Sequence, residues 1–158
     1  MGAYYNGKKT NFVYVVEVKS LTPKFYEILN QTVTELVAED WGNAIRVTKY
    51  LCSYCEQLKS VEISDNITIV DMYAFQNCTA MENAIIGSGV TEIGRAVFAS
   101  CSALHTVTIK ATTPPTLGTN LFSGISTPNI VVPKGCLSAY QSATNWSNYA
   151  DKMTEASE

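Results

Sequence analysis

Five cysteines, one histidine and 14 carboxylates are the groups with which this chain could do chemistry. Cys52-x-x-Cys55 has the spacing of a metal-binding or redox pair. A zinc site takes about four ligands, and neither a second C-x-x-C nor a nearby histidine supplies the rest. His105 has no second histidine and no carboxylate at ligand or triad spacing, so it reads as an exposed side chain and not as a base or ligand. Glu17, Glu35, Glu56, Glu62, Asp65, Asp71, Glu82 and Glu92 are scattered and form no spaced pair of the kind a glycosidase uses. No Gly-rich phosphate cradle and no G-x-S-x-G elbow is present. The residues therefore point to no catalytic group, no metal and no cofactor, and an enzyme acting on cell-wall sugar has nothing to stand on.

The cysteines carry a different message. Cys55, Cys78 and Cys101 lie 23 residues apart, and Phe75 and Phe98 keep the same step. A fixed period of this size marks one small unit stacked on itself. Other apolar positions coincide under the same step: Leu58, Met81 and Leu104; Val61, Ala84 and Val107; Ile63, Ile86 and Ile109; Ile67 and Val90; Val70 and Ile93. Cys52 falls at the Phe75/Phe98 position and Cys55 at the Cys78/Cys101 position, so both are expected inside the stack as small buried hydrophobes. The odd count of five argues against a complete disulfide framework.

The elements that must hold these columns follow from the pattern. Period-2 alternation makes 60–63, 83–86 and 106–109 short strands. Met72–Cys78 and Arg95–Cys101 lack alternation and read as a helical or 3₁₀ turn, and Gly87, Gly89 and Gly94 suit tight turns. An earlier, degraded unit places Cys52, Val47 and Tyr50 one step before Phe75, Val70 and Tyr73. Its strand near Thr34–Val37 is out of register, as an insertion near Glu39–Asn43 would make it. Upstream, Tyr4–Val18 around Asn6-Gly7 reads as a hairpin. Leu21–Leu29, after Thr22-Pro23, is a short helix or another strand. Downstream, Ile130–Val132 reads as the last strand, stopped by Pro133. Leu137–Tyr140, Trp146 and Tyr149 are spaced to lay a short helix and aromatic rings over the open end of the core.

AFQNC at 74–78, VTEIG at 90–94, VFASC at 97–101 and CSALHTVTI at 101–109 resemble the BspA-like (Treponema pallidum-type) leucine-rich repeat family. The resemblance covers about 45–153, including a tail, ATTPPTLG…VVPKGCLSAYQSATNWSNYADKM, similar to the segment that follows such repeats. It implies an α/β repeat solenoid: a short right-handed leucine-rich-repeat stack with one parallel sheet. The organisation expected is an N-terminal hairpin, for capping or attachment, over 1–30, repeats over 31–118 and a C-terminal cap over 119–158. It also implies attachment to host or cell-surface ligands by protein contacts.

A net charge of −3 and a pI near 5.2 leave no electrostatic footprint for nucleic acid. No apolar run reaches the ~18 residues a membrane span needs, and the N-terminus lacks a basic start followed by an apolar region, so no signal peptide is visible. What remains is surface. In each strand the residues between the apolar ones face outward, in columns Ser60, Asn83, Thr106 and Glu62, Ile85, Thr108. These are the expected ligand-binding residues, with loops 112–116 and 120–128 as a second surface. The expected role is a non-enzymatic protein-binding or adhesion module for a protein or glycan ligand, extracellular, at a cell surface or on a virion. Two alternatives are a tail, fibre or decoration component of a phage virion and a structural subunit that forms a homo-oligomer.

Overall fold

The computed structural model describes residues 34–36 and 44–157. The expected hairpin over Tyr4–Val18 and the segment Leu21–Leu29 lie outside the described residues.

The chain runs back and forth between two parallel sheets. β1 (Glu35–Leu36), β3 (Ser60–Glu62), β5 (Asn83–Ile86), β7 (Thr106–Ile109), β9 (Asn129–Val132) and β10 (Met153–Glu155) form a six-stranded sheet in the order β1-β3-β5-β7-β9-β10. β2 (Arg46–Val47), β4 (Ile69–Val70), β6 (Glu92–Ile93) and β8 (Thr116–Leu117) form a four-stranded sheet in that order. Helix α1 (Leu137–Ser142) and a 3₁₀ helix (Trp146–Lys152) lie between β9 and β10. Sequence predicts the first sheet and not the second, because a strand of two residues such as Ile69–Val70 is too short to display alternation.

Register equals repeat. Val61 pairs with Ala84, Ala84 with Val107 and Val107 with Ile130. In the other sheet Val47 pairs with Val70, Val70 with Ile93 and Ile93 with Leu117. Glu35 pairs with Ser60 while Arg46 pairs with Ile69, so the first rung is two residues longer between its strands than the next. This is the insertion its register implied. The fourth crossing, from β7 to β8, is one residue longer than the second and third, since Glu92 pairs with Thr116.

The third flank of each rung is a column of turns. Met72–Cys78 and Arg95–Cys101 form successive i→i+3 turns, with Gln76 N–H donating to Tyr73 O and Cys78 N–H to Phe75 O. They do not wind on as a helix, because two residues in each turn have positive φ: Tyr73 (58°) and Asn77 (60°), then Ala96 (55°) and Ser100 (60°). The rungs on either side repeat the geometry at Tyr50 and Tyr54, and at Asn120 and Gly124. A left-handed conformation costs a residue with a Cβ about 1–2 kcal/mol. It turns the amide groups along the stack axis. Tyr73 N–H donates to Arg95 O (3.0 Å), Phe75 N–H to Val97 O (3.1 Å) and Asn77 N–H to Ala99 O (2.8 Å), and the next rung repeats this onto Thr119, Leu121 and Ser123. The turns are thus a hydrogen-bonded ladder in their own right, and buried backbone groups find partners on all three flanks.

Equivalent side chains fill the interior as columns. Val61, Ile63, Ile67, Val70, Met81, Ile86, Ile93, Val107 and Ile109 are buried. Phe75 stacks on Phe98 with centroids 5.8 Å apart, and Phe98 on Phe122 at 6.2 Å. Gly94 and Gly118 occupy one column where rungs approach closely: a Cβ there would meet the backbone nitrogen of Met72 or Arg95 at 2.5 Å.

The C-terminal end is sealed by aromatics. Tyr140 and Trp146 are fully buried and meet edge to face at 5.3 Å. Tyr140 OH donates to Ala111 O (2.7 Å) and Trp146 Nε1–H to Pro115 O (2.7 Å), which satisfies the polar tip of each ring. Tyr149 meets Phe122 edge-on. One expectation is corrected here. β9 is not the last strand: β10 pairs beyond it, Met153 opposite Ile130 and Glu155 opposite Val132. Pro133 does end β9, but it lies past the paired residues, so its missing N–H costs the ladder nothing.

Two outcomes follow from these contacts. Phe98→Ala opens a hole in the middle of the ring column and is expected to lower unfolding free energy by about 3–5 kcal/mol in urea titration; a loss under ~1 kcal/mol would mean the column carries little. The second concerns Asp65, whose Oδ1 accepts the Ser88 N–H of the next rung at 2.7 Å. That bond outweighs the opposing effect of burial and, with lesser help from the Ser88 side chain and the Lys110 cation, holds the carboxyl below its ordinary value of 3.8. A depressed folded pKa stabilises above the unfolded pKa, and the effect fades as pH falls through the folded value. Asp65→Ala should therefore be less stable than wild type at pH 7, with the gap narrowing below the unfolded value near 3.8. A gap independent of pH would sever the link to ionisation.

Candidate interaction surface

The outward positions of the six-stranded sheet come together as the repeat predicts. Ser60, Asn83 and Thr106 are in register, with Asn129 next; Glu62, Ile85 and Thr108 are in register, with Val131 and Thr154 continuing the row. Asn83 is exposed and the other five predicted residues are half-buried. Parallel strands put about 4.8 Å between rungs, so three or four rungs give a face on the order of 15–20 Å across. One side is polar: hydroxyls and amides from Ser60, Asn83, Thr106 and Asn129. The other mixes Glu62 with Ile85 and Val131.

Charge frames this face at one end. Lys110 Nζ lies 2.8 Å from Glu62 Oε1, an ion pair that reaches across the intervening rung, the one carrying Ile85. The Glu62 carboxylate holds the Lys110 ammonium above its ordinary pKa, so the charge is fixed throughout the physiological range. Beside the polar column, Lys59, Glu82 and His105 are exposed and stack as a further row, tied by backbone bonds from Glu82 N–H to Lys59 O and His105 N–H to Glu82 O. The His105 ring nitrogen Nδ1 is 3.1 Å from Thr106 Oγ1. A histidine facing a threonine hydroxyl has a hydrogen-bond partner but no carboxylate to orient it as a base.

The cysteines lie in the interior, not at the surface. Cys52, Cys55, Cys78 and Cys101 are buried free thiols, and Cys136 is half-buried in the cap. Cys78 Sγ donates to Cys52 O (3.0 Å) and Cys101 Sγ to Phe75 O (3.1 Å), one repeated bond between rungs. The neighbouring Cys101 thiol and burial push Cys78 well above the usual thiol range, away from the nucleophilic thiolate. Among the described residues, no group of three or more His, Cys, Asp and Glu side chains is placed to hold a metal ion.

The predicted second surface contributes a cleft of about 440 Å³ between β8 and the cap, lined by Pro114, Pro115, Thr116, Leu117, Thr144 and Asn145 among others. Asn145 Nδ2 donates to Leu117 O at its wall. The lining residues offer no carboxylate, imidazole, amine or thiol; its polar groups are the Thr116 and Thr144 hydroxyls, the Asn145 amide and the backbone.

A third surface is one that sequence reasoning used only to align the first rung. Tyr50 and Tyr73 stack in parallel on the turn flank, centroids 5.2 Å apart and planes 2° from coplanar. Among the described residues, Tyr50, Tyr54, Met72 and Ile45 are the large apolar side chains left exposed. The signal was present, since Tyr50 and Tyr73 keep the repeat step, but their outward direction depends on the positive φ of the turn, which a tyrosine does not announce.

Among the described residues, no helix is long and apolar enough to cross a membrane. No curated protein is significantly similar to this chain. A family model of the BspA-type leucine-rich repeat region, in six copies, matches residues 25–150. The match takes in both sheets except β10, the turn column and most of the cap, and it agrees with the register by which the rungs repeat. The chain belongs to the BspA-type leucine-rich repeat family.

Proposed function

We propose that this protein is a non-catalytic binding module that presents the open face of its six-stranded sheet to a protein or glycan ligand at a cell surface. The observation that carries the reading is the in-register pair of columns, Ser60, Asn83, Thr106 and Glu62, Ile85, Thr108. Stacked repeats make extended surfaces of this sort, in which each rung offers one residue per column and the backbone holds them at fixed spacing. Preorganisation matters for a small site, because little side-chain and loop ordering remains to be done on binding. The face is under half of one side of a standard protein interface, which buries about 800 Å² per partner. It therefore suits a short peptide segment or a glycan better than a broad globular surface, unless the loops over 112–116 and 120–128 take part. Family membership supports an interaction module, and supports placement outside the cell.

A second reading draws on β10. Among the described residues its outer edge has no strand beyond it, and Thr154 and Glu155 are exposed. A parallel edge with free amide groups is a template for another strand, which would suit a structural subunit that assembles through its end.

A screen of the full chain against glycan and cell-surface protein arrays tests the first reading, paired with a variant carrying Glu62→Ala, Asn83→Ala and Ile85→Ala. The variant should keep its thermal stability within a few degrees and lose at least about tenfold in affinity, or ~1.4 kcal/mol. Full binding by this variant would move the site to the loops or to the exposed tyrosines. Light scattering separates the second reading, since a monomer at tens of micromolar would remove it.

A further inference from the structure

Only one complete rung carries two cysteines in its turn. At the positions of Phe75 and Cys78, and of Phe98 and Cys101, it has Cys52 and Cys55. The turn between them is closed by Cys55 N–H donating to Cys52 O at 3.1 Å, with Tyr54 at φ 65°. An i→i+3 turn keeps its end Cα atoms within about 7 Å, and disulfides span about 4.4–6.8 Å between Cα atoms. Both side chains point to the same interior, at 3% and 2% exposure. The adjacent Cys55 thiol, together with burial, raises the Cys52 pKa.

The Cys78 and Cys101 thiols are also neighbours, but across two rungs and not within one turn. Cys55, Cys78 and Cys101 are equivalent residues on successive rungs, where side chains run parallel and the rung spacing of about 4.8 Å exceeds the ~3.5–4.5 Å between Cβ atoms in a disulfide. Cys78 and Cys101 are also each engaged with a carbonyl of the preceding rung. Cys136 sits in the cap, its Sγ directed to Lys134 O.

We propose that Cys52 and Cys55 form a disulfide across this turn when the chain folds in the presence of a low-molecular-weight disulfide, while Cys78, Cys101 and Cys136 stay reduced. The chemistry is thiol–disulfide exchange. One cysteine thiolate attacks a sulfur of oxidised glutathione and expels one glutathione thiolate. The second cysteine attacks the resulting mixed disulfide and expels the other glutathione. Two thiols lose two protons and two electrons, and one glutathione disulfide becomes two glutathione molecules. The step belongs to folding, because both sulfurs are sealed and protonated once the rung has closed. The consequence is a redox record: a chain folded outside the cell carries the bridge, and one folded in a reducing cytosol does not. This does not depend on what the sheet face binds.

The test uses the full chain, reduced and unfolded, then refolded in glutathione buffer with the oxidised form in excess. After an acid quench, denaturation and iodoacetamide treatment, intact mass should show three alkylated cysteines out of five. Trypsin then releases Tyr50–Lys59, which holds both residues and should be unalkylated and two hydrogens lighter than its reduced form. Circular dichroism of the refolded sample should match that of protein refolded with reductant, which should carry five alkyl groups. Five alkylated cysteines after oxidative refolding, a bridge involving Cys78, Cys101 or Cys136, or a Cys52–Cys55 bridge found only in material without the native spectrum would each overturn the proposal.

Discussion

One constraint governs this molecule: each rung must hydrogen-bond its backbone to the next rung on every flank at the same register. The two sheets meet it with parallel ladders and the third flank meets it with stacked turns. A backbone bonded this way cannot shift one rung against another without losing pairs on all three sides at once. Side chains then have no choice of neighbour. A residue sits on its counterpart from the previous rung, so the core is a bundle of columns, phenyl on phenyl and aliphatic on aliphatic, and the exterior is a set of rows. The positive φ values at Tyr73 and Ala96 show the constraint at work, because they keep a conformation that neither residue favours alone.

That same constraint decides how much of the fold could be read in advance. Where a column holds large apolar residues at constant spacing, as with Val61, Ala84 and Val107, sequence spacing and spatial register are the same quantity, and the main sheet is legible. The four-stranded sheet is not, because each rung gives it two residues and one of them faces solvent. Phe122 escapes for another reason. The extra residue between β7 and β8 puts it one place beyond the constant step from Phe98, so a fixed period finds Leu121 instead. β10 is hidden by its composition: Met-Thr-Glu buries one residue, and its place in the sheet is set by the cap that carries it there. The proposed binding rows were legible because they are the complement of the buried columns. The stacked pair Tyr50 and Tyr73 was visible as a repeat but not as a surface.

The ends of the stack pose a problem that the middle does not. A middle rung is covered above and below, whereas the last one would leave Phe122, Leu117 and Ile130 without a neighbour. Trp146, Tyr140 and Tyr149 supply the missing apolar area, and the two fully buried rings return their polar tips to carbonyls of the preceding chain at Pro115 and Ala111. The cap therefore closes the core without leaving a buried donor unsatisfied, while β10 extends the ladder on only one flank.

The rungs differ in length at one place above all. Between the six-stranded and four-stranded sheets the first crossing is two residues longer than the second and the fourth is one longer, yet the strands on both sides keep their pairing. The extra residues are taken up within the crossing and leave the pairing on either side unshifted. The corner is thus a natural grafting point: peptide epitopes, tags or recognition loops spliced there, rung by rung, would project as parallel fingers about 4.8 Å apart at their bases, carried on a scaffold whose pitch they cannot alter.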